Sequence, residues 1–199
     1  MISLVGGEAI DFTSKAIMPD NSIEEINLKK FIAGYKAVLF FYPLDFTFVC
    51  PSEIIACNNR IGSFADKKTK LIGISVDSHF SHLAWKKTSP NKGGIGNIKF
   101  PLVSDLNKSI GNSYGVMSNG GVSFRGTIII DENFIIRHIN INDFPIGRNI
   151  DEILRIIDAI DFHKKHGEVC PAGWQDGKEG MVETQDGVAD YLSSNSEKL

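Results

Sequence analysis

Tyr42-Pro43-Leu44-Asp45-Phe46-Thr47-Phe48-Val49-Cys50-Pro51-Ser52-Glu53 is the stretch that decides how this chain folds. It follows a continuous apolar run, Ala37 to Phe41, with the length and composition of a fully buried central strand. Beyond it, Ile54, Cys57, Ile61 and Phe64 recur at helical spacing. Cys50 therefore falls where a strand hands over to a helix. Unpaired backbone N–H groups and the positive end of the helix dipole concentrate there and favour an anion. Pro51 suits the first helical position, because the N–H it lacks would have had no partner. An ordinary thiol, with a pKa of about 8.5, is only a few per cent ionised at pH 7, and such a junction raises that fraction. The segment reads as a holder for a reactive thiolate.

Working outward, Lys70 to Val76 is a second buried strand, and His79 to Thr88 a helix carrying Leu83, Ala84 and Trp85. Strand, helix, strand, helix in this order predicts parallel strands with a right-handed crossover. Residues 89–98, rich in Pro, Gly and Asn, read as a loop, Phe100 to Val103 as a short strand and Leu106 to Tyr114 as a short helix. Val122 to Ile130 and Phe134 to Ile141 flank Asp131-Glu132-Asn133 and read as an antiparallel hairpin. A helix follows, with Ile150, Ile153, Leu154, Ile157 and Ile160 on one face, an N-terminal pair in Asn149 and Glu152, and an end at Lys164 to Gly167. The pattern predicts an α/β fold with a mixed central sheet flanked by helices. Residues 1–166 form its domain. Residues 167–199 form an extended C-terminal tail, polar and Gly-rich, with one cysteine and one tryptophan. Such a tail cannot build its own core and is expected to pack on the body or on another subunit.

Composition narrows the function. With 199 residues, 42% of them hydrophobic, the chain can build one good-sized core. A net charge of −3 and a pI near 5.9 argue against nucleic acid as partner. Met1 to Phe12 carries no basic leader, and no apolar run approaches the roughly 18 residues of a membrane span. A cytoplasmic chain without signal peptide or membrane contact is the expectation. Cysteines at 50, 57 and 170 make no disulfide framework, Cys-x-x-Cys pair or zinc cluster, so no structural metal is expected. His79 and His82, three apart, read as surface histidines on a helix.

Cys50 needs neighbours that keep it ionised. Thr47, three residues earlier, can hydrogen-bond the sulfur or the substrate, or serve as a plain turn residue. Arg125, in Ser123-Phe124-Arg125-Gly126-Thr127, is the first candidate for a cation; a surface ion pair is its other reading. Lowering a thiol pKa from about 8.5 to about 6 raises the ionised fraction at pH 7 only about 30-fold. The same donors must therefore also stabilise charge developing on a leaving oxygen. Cys57 lies on the apolar stripe of its helix and reads as a small core residue. About 10 Å of helix would separate its Cα from that of Cys50, too far for a disulfide. Cys170 is the better partner, since a sulfenic acid condenses readily with a thiol. A tail cysteine without a partner remains the other reading, and the residues alone leave open which subunit Cys170 would serve.

Phe41-Tyr42-Pro43-Leu44-Asp45-Phe46-Thr47-Phe48-Val49-Cys50-Pro51 and Gly167-Glu168-Val169-Cys170-Pro171-Ala172-Gly173-Trp174 together closely resemble the typical two-cysteine peroxiredoxins. The similarity extends over nearly the whole chain, including Phe80 to Trp85, Phe124-Arg125-Gly126 and Asn142 to Arg148. The resemblance implies a thioredoxin-like fold and thiol peroxidase activity on hydrogen peroxide and organic hydroperoxides, in antioxidant defence. It implies Cys50 as the peroxidatic cysteine in a pocket completed by Pro43, Thr47 and Arg125, with Glu53 and Arg148 orienting Arg125. It implies Cys170 as the resolving cysteine, acting on Cys50 of the partner subunit. It implies no metal or organic cofactor, recycling by a thioredoxin-type or dedicated flavoprotein reductant, and homodimers assembling into decamers.

Some positions depart from the commonest pattern. Ser52 stands where threonine is usual. Gly93-Gly94-Ile95-Gly96 resembles the glycine motif of members sensitive to overoxidation, but Tyr191-Leu192 replaces their Tyr-Phe. A surface turn is the plainer reading of the glycines. A thioredoxin-type disulfide oxidoreductase is the nearest enzymatic rival, and Pro51-Ser52-Glu53 denies Cys50 the second cysteine it would need. A holdase chaperone or redox-relay protein is the alternative of another class.

Overall fold

The apolar run before Cys50 forms the strand Lys36–Phe41, all six residues buried, in a computed structural model that describes residues 4–198. In chain order the main elements are β1 (Thr13–Ile17), β2 (Ile23–Asn27), α1 (Leu28–Phe31), β3 (Lys36–Phe41), α2 (Cys50–Asn59), α3 (Ile61–Asp66) and β4 (Thr69–Ser75). Then come α4 (His79–Lys87), β5 (Leu102–Ser104), α5 (Ser109–Ser113), β6 (Arg125–Ile130), β7 (Ile136–Asn142), α6 (Ile150–His166) and α7 (Gln185–Asn195). Two compact units divide the chain, residues 1–150 and 151–199.

The first unit holds one seven-stranded sheet in the order β2-β1-β5-β4-β3-β6-β7. Strand β3 lies at its centre, parallel to β4 and antiparallel to β6. The β3–α2–α3–β4 and β4–α4–β5 segments are the crossovers that the strand–helix alternation predicts, and β6–β7 is the predicted hairpin. Strands β1 and β2, which the apolar pattern did not mark, extend the sheet through an antiparallel pairing with β5. Buried Leu39, Phe41, Ile72, Ile74, Val103, Ile128 and Ile130 form the middle of the core beside the sheet.

Two local expectations change. The stripe Ile54, Cys57, Ile61, Phe64 does not ride on one helix. The chain breaks at Arg60, with φ −107° and ψ 11°, and restarts as α3 while keeping Cys57 and Phe64 buried. Cys50 itself is the first helical residue, so Pro51 takes the second position rather than the first.

His82 is the larger correction. Rather than lying at the surface, it is fully buried on the α4 face that also buries Trp85 and Lys86, three and four residues on. The glycine motif is also more than a loose turn. A Cβ on Gly94 would come within 1.9 Å of the Thr88 carbonyl oxygen, so only glycine lets this loop close onto the end of α4. The Gly93 carbonyl there accepts the Trp85 indole N–H at 3.0 Å.

In the second unit, α6 is followed by a loop whose base is closed by paired Val169–Met181 backbone hydrogen bonds, each 2.9 Å. Trp174 is buried in this loop, its ring 4.8 Å from that of Phe162 on α6.

Candidate active site

Sheet register brings three distant segments to one place. Cys50 lies beyond the C-terminal end of β3. Because β6 runs antiparallel to β3, with Thr127 opposite Phe40, its first residue, Arg125, arrives at that same end. Arg125 in turn lies opposite Asn142 at the end of β7, so the strap Asp143–Arg148 emerges there too.

Cys50 is only 1% exposed. The Thr47 hydroxyl lies 3.0 Å from its sulfur and 2.8 Å from the Leu44 carbonyl oxygen. One hydroxyl carries one proton, so these contacts alternate. Beside a thiolate Thr47 donates to sulfur; beside a thiol it accepts from S–H and donates to Leu44. Arg125 Nη1 donates to the sulfur at 3.4 Å and to Glu53 Oε2 at 2.8 Å, while its Nε donates to the Phe144 carbonyl at 2.7 Å. The guanidinium is thus fixed on two sides, and one of its N–H groups points at sulfur.

Glu53, on the first turn of α2, lies between two arginines. Arg148 donates to it through its backbone N–H (2.8 Å), Nε (2.9 Å) and Nη2 (3.0 Å), and through Nη1 to the Gly126 carbonyl (2.7 Å). The Arg148 guanidinium also stacks 3.2 Å from the Phe40 ring centroid. Burial pushes the Glu53 carboxyl up, but hydrogen bonds and charge from Arg148, with charge from Arg125, outweigh it and hold the group below its ordinary value. Both arginines therefore face an ionised partner. Pro43 is buried at the start of the turn that carries Thr47.

A buried polar cluster that the sequence reading missed holds this turn. Asp45 accepts hydrogen bonds from the Tyr42 hydroxyl (2.9 Å) and the Ser81 hydroxyl (2.8 Å) and pairs with His82 Nδ1 (2.8 Å). Its own backbone N–H donates to Asp77 at 2.8 Å. Asp77 is pushed above its ordinary value by burial and by the charge of Asp45. The only sequence signal for this cluster was the helical spacing that puts His82 on the same face as Trp85.

The three thiols are free and differ sharply. Cys57 is fully buried, and burial pushes its pKa up to about 12, which leaves it inert. Cys170 belongs to the second unit and is half-buried, its thiol directed at the Ala159 carbonyl at 3.6 Å. Among the described residues no group of three or more metal-ligating side chains could hold an ion, and no helix is long and apolar enough to cross a membrane.

A profile of the AhpC/TSA family matches residues 5–139, and one of the C-terminal domain of 1-Cys peroxiredoxin matches residues 159–194. The chain is 49% identical over 195 residues to alkyl hydroperoxide reductase C of Buchnera aphidicola subsp. Acyrthosiphon pisum, covering 97% of this chain and 99% of that one. It is 48% identical over 197 residues to alkyl hydroperoxide reductase C of Helicobacter pylori, covering 98% and 100%. Among solved structures, reduced 2-Cys peroxiredoxin of Plasmodium vivax matches with a TM-score of 0.94 at 53% identity, covering 96% of this chain and all of that one. The mixed sheet with its flanking helices is thus a thioredoxin-like fold.

Proposed function

The chain belongs to the AhpC/TSA family and is a thiol peroxidase of peroxide detoxification, and from that premise we propose that Cys50 is the sulfur that peroxide oxidises. One observation carries this reading: the Thr47 hydroxyl and the Arg125 guanidinium both reach the same buried sulfur. Thr47 and Arg125 stabilise the thiolate and then the charge that develops as the O–O bond breaks. Glu53 and Arg148 keep Arg125 in place, and Pro43 shields the turn from water. Sulfur attacks one peroxide oxygen and the S–O bond forms. The other oxygen leaves with the electron pair and takes a proton, giving water from hydrogen peroxide or an alcohol from an organic hydroperoxide.

Cys170, in the tail 167–199, then acts on Cys50 of the partner subunit. Its sulfur displaces the sulfenic oxygen as hydroxide, which becomes water, and an intersubunit disulfide forms. A thioredoxin-type or dedicated flavoprotein reductant returns both thiols. The working form is a homodimer, assembling into a decamer, in the cytoplasm. Turnover is favoured over a holdase or redox-relay role, because relatives matching nearly the full chain carry the name of a hydroperoxide reductase.

Peroxide-dependent thiol oxidation of the purified protein, followed on non-reducing gels and by mass spectrometry, tests the scheme. Cys50→Ser is expected to abolish peroxide consumption, and Cys170→Ser to abolish the covalent dimer while one equivalent of peroxide is still consumed. Full turnover in Cys50→Ser, or an undiminished dimer in Cys170→Ser, would remove the respective residue from its role.

A further inference from the structure

The resolving thiol lacks the buried setting of the peroxidatic pocket: Cys170 is half-buried, and the arginine whose charge acts on it, Arg155, is partly exposed. Burial pushes the Cys170 thiol above its ordinary value, and the Arg155 guanidinium is the group that pulls it back. The surrounding geometry is definite. Arg155 lies on α6 one turn before Ala159, whose carbonyl faces the Cys170 sulfur at 3.6 Å. Its Nη1 donates to the Trp174 carbonyl at 2.7 Å, which clamps the Cys170-Pro171-Ala172-Gly173-Trp174 turn to the helix. The turn is closed internally by the Trp174 N–H on the Pro171 carbonyl at 3.1 Å. Glu152 holds the guanidinium from the other side, through Nε at 2.6 Å and Nη2 at 2.8 Å.

Of the charged groups about the turn, Arg155 is the one whose charge acts on the Cys170 thiol. His163 on α6 donates its Nδ1 to the Glu168 carbonyl at 2.8 Å. Glu168, just before the turn, and Glu152 are both acidic and would oppose a thiolate. Arg155 is thus the cation that also touches the turn.

We propose that Arg155 is a positioning residue of the resolving step, holding the Cys170 turn on α6 and lending its positive charge to the Cys170 thiolate as that sulfur attacks the sulfenic acid. The inference rests on the assignment of Cys170 above. When Cys170 attacks, the S–S bond forms as the S–O bond breaks, and hydroxide leaves to become water. Only the thiolate performs this displacement, so a cation beside Cys170 raises the competent fraction at neutral pH. Because Arg155 is partly exposed, its leverage is that of a screened charge.

The test mixes reduced protein with one equivalent of hydrogen peroxide and blocks thiols with a maleimide at intervals. Mass spectrometry then counts Cys50 sulfenic acid and the Cys50–Cys170 disulfide from pH 6 to 9. Arg155→Leu is expected to slow disulfide formation about two- to fivefold at pH 7. It should also move the midpoint of the pH dependence up by about half a unit, with sulfenic acid accumulating meanwhile. Arg155→Lys, which keeps the charge, should restore most of the midpoint. A wild-type rate and midpoint in Arg155→Leu overturns the inference, as does an equal slowing at every pH that lysine does not repair. A wild type that forms no Cys50–Cys170 disulfide overturns the assignment of Cys170, and this inference with it, and is recognisable as that separate result.

Discussion

Two thiols in this chain each have an arginine held by a glutamate, and the two arrangements differ in burial and in contact: Arg125 reaches the Cys50 sulfur, whereas Arg155 reaches the carbonyl of Trp174 in the Cys170 turn. At Cys50 the Arg125 and Glu53 side chains are 5% and 2% exposed; at Cys170 those of Arg155 and Glu152 are 28% and 50% exposed. The buried pair is reinforced by a second arginine, Arg148, and by carbonyls at Phe144 and Gly126, so each guanidinium keeps one orientation. The exposed pair has the Trp174 carbonyl as a further contact, and water screens it. One thiol is embedded in a preorganised electrostatic frame, whereas the other sits on a turn with a modest charge beside it.

The strongest break of this contrast is Glu53→Gln. It strands two buried guanidinium groups without a counter-charge and is expected to cost about 3–5 kcal/mol of stability. Glu152→Gln at the exposed pair should cost under about 1 kcal/mol. Urea midpoints at fixed protein concentration compare them directly, and equal losses would mean that burial does not separate the two sites. Next in size, Arg125→Leu should lower kcat/KM for peroxide about 100-fold or more, because a donor aimed at the Cys50 sulfur is removed. Steady-state turnover coupled to a reductant reads that loss.

Acid sharpens the same difference. Glu53 in the folded chain lies below its ordinary value near 4.5. Its contribution to stability is therefore complete above pH 4.5 and is lost as pH falls through the lower folded-state value. Urea midpoints taken from pH 6 to pH 3 should drop more steeply for wild type than for Glu53→Gln. Parallel curves would show that the carboxylate is not the group responsible. The smallest effect expected is at Cys57. With its pKa pushed up to about 12, it should resist iodoacetamide at pH 8 until denaturant is added, while Cys170 reacts in the native protein. Cys57→Ala should leave turnover within about twofold, as expected of a core residue outside the chemistry.

Local pattern exposed much of this. The apolar run into β3 and the hairpin about Asp131 read correctly, because each is a short-range consequence of burying one face. Strands β1 and β2 escaped notice because they are short and β2 exposes Ile23, Glu24 and Glu25, leaving little periodic signal. His82 was misread for the opposite reason. A polar side chain signals the surface until a buried acid is found opposite it, and Asp45 lies 37 residues away. The break at Arg60 left no mark in a stripe whose positions stay apolar through it.

By itself, the order of residues determined that one cysteine stands at a strand-to-helix junction with a hydroxyl three positions before it. It also determined that a second lies on a helix's apolar stripe and a third in a polar tail. Those are properties of neighbours along the chain. Tertiary structure alone decided that Arg125 reaches sulfur 75 residues away, since that follows from β6 pairing antiparallel with β3. It likewise decided that Glu53 joins two arginines and that His82 turns inward. Such contacts between distant segments depend on sheet register and on which faces are buried, and no local periodicity records either.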